Sequence, residues 1–473
     1  MAAWCANRPD ASWVLNATSL FEDAQRVADT LAANQVLAHA RVHEALSSGR
    51  PVAATFVGGS VVMGMGCNEG NVTGIPCAYP HRFEQWMQTC QGHRSFTVAN
   101  RATGGTTTVS FLPQLPEYVP EADLDHASGA ESSSPEHLLV IDFSTNDSVF
   151  HVGLDPASQA TSPFVAATEV MLRWLLFERP RVALLLLESD CVEPGHGLYV
   201  GTREAHERVA RHYGVPFLSF ASGFRHNITC SRSPPVWTRT LRGHHPGYLS
   251  HQHVADLLAV WLPRLFETAA GRVVTSHRQD KQRRAQTRVR GNVTAMPHAI
   301  TSEELRAQRK ICTQPVTTHA AKDARHSSDG PWEDVHVLAG TWVIDRTRAE
   351  KAGWQTDEDH ASLAFDLKFG AKPRLTVVWE QSYERFGDAV LTLHPADRRG
   401  TKYRTEVLLP GHDATDSSNT TQATTYVLQV GPDAQNGKEQ FNVSPHSNAT
   451  FAITTQQRGP DRTRFKLRRI SSC

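Results

Sequence analysis

The sequence has no surplus of either charge: 48 Lys and Arg stand against 48 Asp and Glu in 473 residues. With no net field to gather phosphates, a protein that binds nucleic acid mainly through charge is excluded. Long apolar runs are missing as well. The longest, Val182 to Leu187, is strand-sized, against the roughly 20 residues a membrane-crossing helix needs, so no membrane span is expected. The opening stretch MAAWCANRPDASWVLNATS has no apolar core of signal-peptide length. No Cys-x-x-Cys occurs, which removes the usual spacing for structural zinc or a thioredoxin-like redox centre. His244, His245, His251 and His253 lie close in sequence, but His251 and His253 are two apart and face different sides of a helix. Neither metal nor cofactor is expected.

What is present is enough for folded units. Hydrophobic residues make up 40% of the chain and charged residues 20%, which supports a buried core. At roughly 150 residues per domain, the length implies two or three units. Eight cysteines accompany eight Asn-x-Ser/Thr sequons, at Asn16, Asn71, Asn146, Asn227, Asn292, Asn419, Asn442 and Asn448. Some sequons arise by chance, but three crowd the C-terminal end. With the even cysteine count they point to an oxidising compartment. A secreted or secretory-lumen location is expected, reached by a leader missing from this start or by an unconventional route. The cysteines read as structural, with Cys191–Cys230 and Cys312–Cys473 as candidate pairs.

Between residues 51 and 268 short apolar runs alternate with helical periodicity. Pro51–Val57, Ser95–Ala99, His137–Phe143, Arg181–Leu187 and Val215–Phe220 read as strands, and His137–Phe143 is too continuously apolar for a sheet with one wet face. Helices follow Pro163, span Thr202–Tyr213 up to Gly214, and cover Val254–Leu265, where Pro263 is expected to bend or end the helix. Such alternation predicts a parallel five-stranded sheet covered on both faces. Residues 1–50 form an N-terminal helical extension, with one long amphipathic helix expected over 18–48. Residues 269–330 read as a basic linker, HRQDKQRRAQTRVR at its centre. From 331 to 473 the period switches to two in about eight short runs, which predicts a β-sandwich.

In an open parallel sheet, ligands bind beyond the carboxyl ends of the strands. The first strand is followed by Gly58-Gly59-Ser60 and the second by Asn100 and then Gly104-Gly105. The third is followed by Ser144-Thr145-Asn146-Asp147, and His244-His245-Pro246 introduces the last helix. A hydroxyl, glycine N–H groups, an amide and an imidazole on one rim are the parts acyl transfer needs: nucleophile, oxyanion donors and base. Each segment alone has a bland reading. Gly58-Gly59-Ser60 serves as a capped turn, Asn146 as a helix cap or glycan acceptor, and His245 as a turn residue.

Taken in order, the four segments resemble the sequence blocks of the SGNH (GDSL-type) hydrolase superfamily over about residues 50–268. GGSVVMGMGC with a trailing β-domain is similar to an algal-type subgroup of secreted eukaryotic proteins. The resemblance implies a flavodoxin-like α/β/α sandwich, here with a C-terminal all-β sandwich. It implies a serine esterase without cofactor, acting on O-acyl esters, O-acetyl foremost. By this resemblance Ser60 is the nucleophile and contributes its N–H to the oxyanion, Gly105 gives a second N–H (Gly104 being the fallback), Asn146 donates its amide, and His245 is the general base.

Two positions depart from the family. Gly59 stands where Asp usually precedes the serine. Arg242 stands where the family's Asp-x-x-His block has its acid, and a guanidinium accepts no imidazole N–H. A backbone carbonyl, Asp190 or Glu193 is left to orient His245. Two classes of function stay open: an esterase (or an O-acyltransferase with the same machinery), and a catalytically retired domain serving as an extracellular carbohydrate-binding or scaffold protein. The expected partner is an acylated glycan or small ester. In the β-sandwich, Trp354 and Trp379 are the candidates for exposed sugar-stacking tryptophans.

Overall fold

The computed structural model describes residues 17–69, 72–119, 134–150, 163–189, 200–220, 245–284, 317–321, 335–347, 352–371, 373–382, 385–394, 406–411, 422–429, 441, 443–456 and 462–473. The chain divides into two compact units, residues 1–108 with 117–305, and residues 306–473 with 109–116.

The first unit is built on five parallel strands, β1 (Val52–Gly58), β2 (Phe96–Asn100), β3 (Glu136–Asp142), β4 (Ala183–Glu188) and β5 (Phe217–Ser219). Their order is β2-β1-β3-β4-β5. The expected parallel sheet is therefore present, with β1 near its centre and Gly58 in register with Asp142. Every residue of β4 is buried, because helices shield both faces of a parallel sheet.

Helices α1 (Ala17–Thr30) and α2 (Ala33–Ser47) pack with α8 (Tyr248–Arg284). Leu20, Ala24, Val36 and Val42 join the same buried core as Val254, Leu258, Trp261 and Leu265. Trp261 Nε1 donates to Asp23 Oδ2 at 3.1 Å, which fixes α1 on α8.

Two expectations about these helices are corrected. The single helix over 18–48 is two helices, because Ala32 gives its N–H to Gly214 O at 2.9 Å instead of continuing the ladder. Gly214 has φ +60° and no room for a Cβ against Ala32, so the stop of one helix doubles as the seat of another break. Pro263 does not end α8; the helix runs on to Arg284. The apolar face of α8 lies in the core on both sides of Pro263, and that burial offsets the roughly 3 kcal/mol a mid-helix proline costs.

Further helices of this unit among the described residues include α3 (Ser60–Met63), α4 (Tyr79–Thr89), α5 (Ser144–Phe150), α6 (Pro163–Glu178) and α7 (Val200–His212). A disulfide joins Cys67 to Cys77 with their Cα atoms 5.7 Å apart, strapping the excursion that follows α3. Cys90 and Cys473 are also disulfide-bonded. Cys191, Cys230 and Cys312 lie outside the described residues.

The second unit is a β-sandwich. Its strands are β6 (Thr317–Ala320), β7 (Val335–Ala339), β8 (Val343–Asp345), β9 (Gly353–Thr356), β10 (Ser362–Lys368), β11 (Arg374–Gln381), β12 (Asp388–His394), β13 (Glu406–Leu409), β14 (Gln422–Gln429), β15 (Asn448–Gln456) and β16 (Phe465–Ser472). One antiparallel sheet runs β8-β9-β16-β11-β14, with β6 also on β16, and the other runs β13-β12-β15-β10-β7. Strand β6 comes from the stretch expected to be linker. Trp354 and Trp379 are not exposed: they are 1% and 0% accessible. Trp354 packs edge-on against Phe365 at 5.3 Å, and Trp379 Nε1 donates to Pro410 O at 2.8 Å. Neither is free to stack on a sugar.

His39 is fully buried in α2, and burial pushes it down from 6.5 to about 4. The unfolded chain takes a proton near pH 6.5 that folded His39 refuses until about pH 4, so stability falls as pH drops through that window. Thermal unfolding of a His39→Leu variant between those pH values is expected to show a shallower loss, by about 3 kcal/mol at the acid end.

Candidate active site

At the carboxyl ends of β1, β2 and β3 the chain segments approach one another closely. A Cβ on Gly58 would collide with Asp142 O and Val62 Cγ2, and one on Gly59 would collide with the Asn146 side chain. Only glycine allows this approach of backbone to neighbour. Gly59 is thus explained by Asn146: the position that usually holds Asp in the resembled family has no room for a side chain here. Ser60 then opens α3, which closes at Gly64 with φ +88°.

Ser60 is 7% exposed. His245, half-buried ahead of α8, places Nε2 2.8 Å from Ser60 Oγ. This is hydrogen-bond distance between a hydroxyl and an imidazole.

The loop after β2 reaches Ser60 from the other side. Its start is pinned by Asn100, which donates Nδ2 to Val62 O at 2.8 Å and accepts the Ala102 N–H at 3.1 Å. Thr103 N–H then bonds Gly58 O at 3.0 Å. A Cβ placed on Gly104 would stand 3.7 Å from Ser60 Cβ and 3.3 Å from Met65 Sδ, so Gly104 lies directly against the nucleophile position. Gly105 follows with φ +77°, a turn that a side chain would strain.

Asn146 sits in the first turn of α5 and is 8% exposed. Packed against Gly59, it is no glycan acceptor in the folded chain. Ser60, Gly104, Asn146 and His245 are therefore gathered in one place, with Gly105 beside them. Arg242, His244, Asp190 and Glu193 lie outside the described residues.

Several buried groups beneath the rim were not singled out from sequence. Asp142, at the end of β3, accepts Tyr79 Oη–H at 2.9 Å and Ser144 Oγ–H at 2.7 Å. Burial raises its carboxyl, and the hydrogen bonds from Ser144 and Tyr79 oppose that rise. Glu188 is pushed well above the usual carboxylate range by burial and by the nearby Asp142 charge. His206 lies between two acids, Nδ1 3.5 Å from Glu188 and Nε2 3.7 Å from Asp147. His251 stacks on Tyr79 with ring centroids 6.0 Å apart, and burial, Arg82 and His245 push it down to about 3. A neutral His251 adds no charge to compete with an imidazolium at His245. The available signal was position: Asp142 ends an apolar run, and Asp147 follows Asn146. Among the described residues, no group of three or more His, Cys, Asp or Glu is arranged to hold a metal ion.

No protein-family model matches the sequence. A search of curated proteins finds no match. Among solved structures, the chain is similar to a two-domain esterase active on acetylated mannans and co-crystallised with mannopentaose, with TM-score 0.54, 18% identity, and coverage of 91% of this chain and 93% of that one. A second crystal structure of a two-domain esterase active on acetylated mannans gives TM-score 0.55, 17% identity, and coverage of 92% and 95%. The likeness shows the fold: a five-stranded parallel sheet covered by helices, followed by a β-sandwich.

Gly59→Ala is expected to fold while turning the Asn146 side chain away from Ser60, since the flexible end of Asn146 is what the new methyl meets. A crystal structure of the variant checks this; Asn146 in its original place with the backbone unmoved would contradict it.

Proposed function

We propose that the chain is a serine esterase that removes acyl groups, acetyl foremost, from a glycan through a Ser60 acyl-enzyme. The observation that carries this is the 2.8 Å contact between His245 Nε2 and Ser60 Oγ. A retired domain has no reason to keep hydroxyl and imidazole in register across two distant segments. Acetylated glycan is the favoured substrate class because the two-domain relative acts on acetylated mannans.

In the proposed mechanism His245 Nε2 takes the Ser60 proton as Oγ attacks the ester carbonyl. The negative charge on the former carbonyl oxygen is met by the N–H groups of Ser60 and Gly105 and by the Asn146 amide. Collapse expels the sugar hydroxyl, which leaves with the proton held on His245. Water, deprotonated by the same imidazole, then attacks the acyl-Ser60 ester. Collapse of the second tetrahedral species passes the proton from His245 to Ser60 Oγ and frees the carboxylic acid, which then loses its own proton to water. Because Arg242 stands where the resembled family has its acid, the orientation of His245 falls to another acceptor, with a backbone carbonyl, Asp190 and Glu193 as the candidates. The disulfides at Cys67–Cys77, Cys90 and Cys473 support a secretory or extracellular setting.

A fluorophosphonate needs only an activated serine and an oxyanion hole, so it reads the site without knowledge of the substrate. The purified chain is expected to be labelled and the Ser60→Ala variant not. Labelling that persists in Ser60→Ala would place the reactive serine elsewhere, and none in folded protein would move the function to a binding role. Asn146→Ala is expected to lower the rate of acetate release from an acetylated glycan by about a hundred- to a thousand-fold, and an unchanged rate would remove Asn146 from the oxyanion site.

A further inference from the structure

The two glycines at the nucleophile stand on a loop whose ends are held differently. The start is held three times, by Asn100, by Arg101 N–H to Phe56 O at 2.8 Å, and by Thr103 N–H to Gly58 O at 3.0 Å. The far end is held by a side chain. Asp147 Oδ1 accepts the backbone N–H of Thr108 at 2.8 Å, and Oδ2 accepts the Thr108 hydroxyl in a short hydrogen bond. Asp147 is the residue after Asn146 on α5. One carboxylate thus joins the segment that carries Gly104 and Gly105 to the segment that carries Asn146.

Asp147 and Thr108 are 0% and 1% exposed. Burying a carboxylate costs several kcal/mol before any partner is counted, and burial raises the Asp147 carboxyl to about 6, with His206 and Thr108 opposing. His206 Nε2 stands 3.7 Å away, beyond good hydrogen-bond distance. The groups that meet both carboxylate oxygens are therefore those of Thr108. An apolar pair would fill the same space at lower cost in stability, so the retained carboxylate points to geometry as its purpose.

We infer that Asp147 is a positioning residue for the oxyanion hole: by fixing Thr108 it sets the Gly104–Gly105 backbone at the distance from Asn146 at which both donate to one oxygen. This rests on the reading of Ser60 as nucleophile. The dependence is geometric, because oxyanion donors act only within about 2.7–3.1 Å of the oxygen they stabilise. A displacement near 1 Å is enough to cost about a hundred-fold.

The test uses the full chain carrying Asp147→Asn, Thr108→Val or Thr108→Ser, with kcat and KM measured on p-nitrophenyl acetate. Ser60 labelling by fluorophosphonate and the thermal midpoint are measured in parallel. Asp147→Asn and Thr108→Val are expected to lower kcat by about 10- to 100-fold, with KM within about threefold, the signature of an interaction made in the transition state. Thr108→Ser keeps both hydrogen bonds and is expected to stay within about threefold of the parent in kcat. A kcat unchanged in folded Asp147→Asn overturns the inference, as does a Thr108→Ser loss equal to that of Thr108→Val. If Asp147→Asn does not fold, the Thr108 pair decides alone. A parent chain that neither turns over nor is labelled sinks the functional reading and this inference together. An active parent with an indifferent Asp147→Asn sinks the inference only.

Discussion

The site depends on how closely backbone can approach backbone at the end of one parallel sheet. Gly58 and Gly59 lie where any Cβ would strike Asp142, Val62 or Asn146, and Gly104 lies against Ser60. Those contacts bring the ends of β1, β2 and β3 into one small volume. Everything proposed for the chemistry follows from that crowding. The hydroxyl of Ser60, the glycine loop and the Asn146 amide are near one another because no side chain keeps them apart, and His245 closes the group from the start of α8.

Beneath this rim the fold buries several ionisable groups. Asp142, Asp147, Glu188 and His206 are each nearly inaccessible. Burial holds the acids toward their protonated forms and the histidine toward its neutral form. Asp142 uses its two oxygens to tie α4, through Tyr79, to the start of α5 at Ser144. Asp147 ties α5 to the glycine loop. The buried acids thus connect the elements that present the reactive groups, in a medium where each hydrogen bond counts for more than it would in water.

The sheet was legible because helices shield it on both faces, which leaves strands such as β4 apolar at every position. Ser60, Asn146 and His245 were legible because each lies just past a strand or just before a helix, where the topology must place them together. What the sequence hid were partnerships between distant residues. The break between α1 and α2 depends on Gly214 O, and nothing near Ala32 announces it. The continuation of α8 past Pro263 depends on core packing on both sides of the proline. Trp354 and Trp379 lie in strands where both faces are covered, so alternation gave no sign that their rings point inward. Thr108 and Asp147 belong to different blocks, and only the folded chain shows them joined.

The central claim is that acyl groups pass through Ser60. The most direct measurement is rapid acid quench during turnover of p-nitrophenyl acetate, followed by mass spectrometry of the peptide containing Ser60. An acetyl adduct on Ser60 that forms and decays at the turnover rate is the expected result. Acetate released at that rate with Ser60 unmodified throughout would contradict the claim and place the chemistry elsewhere in the protein.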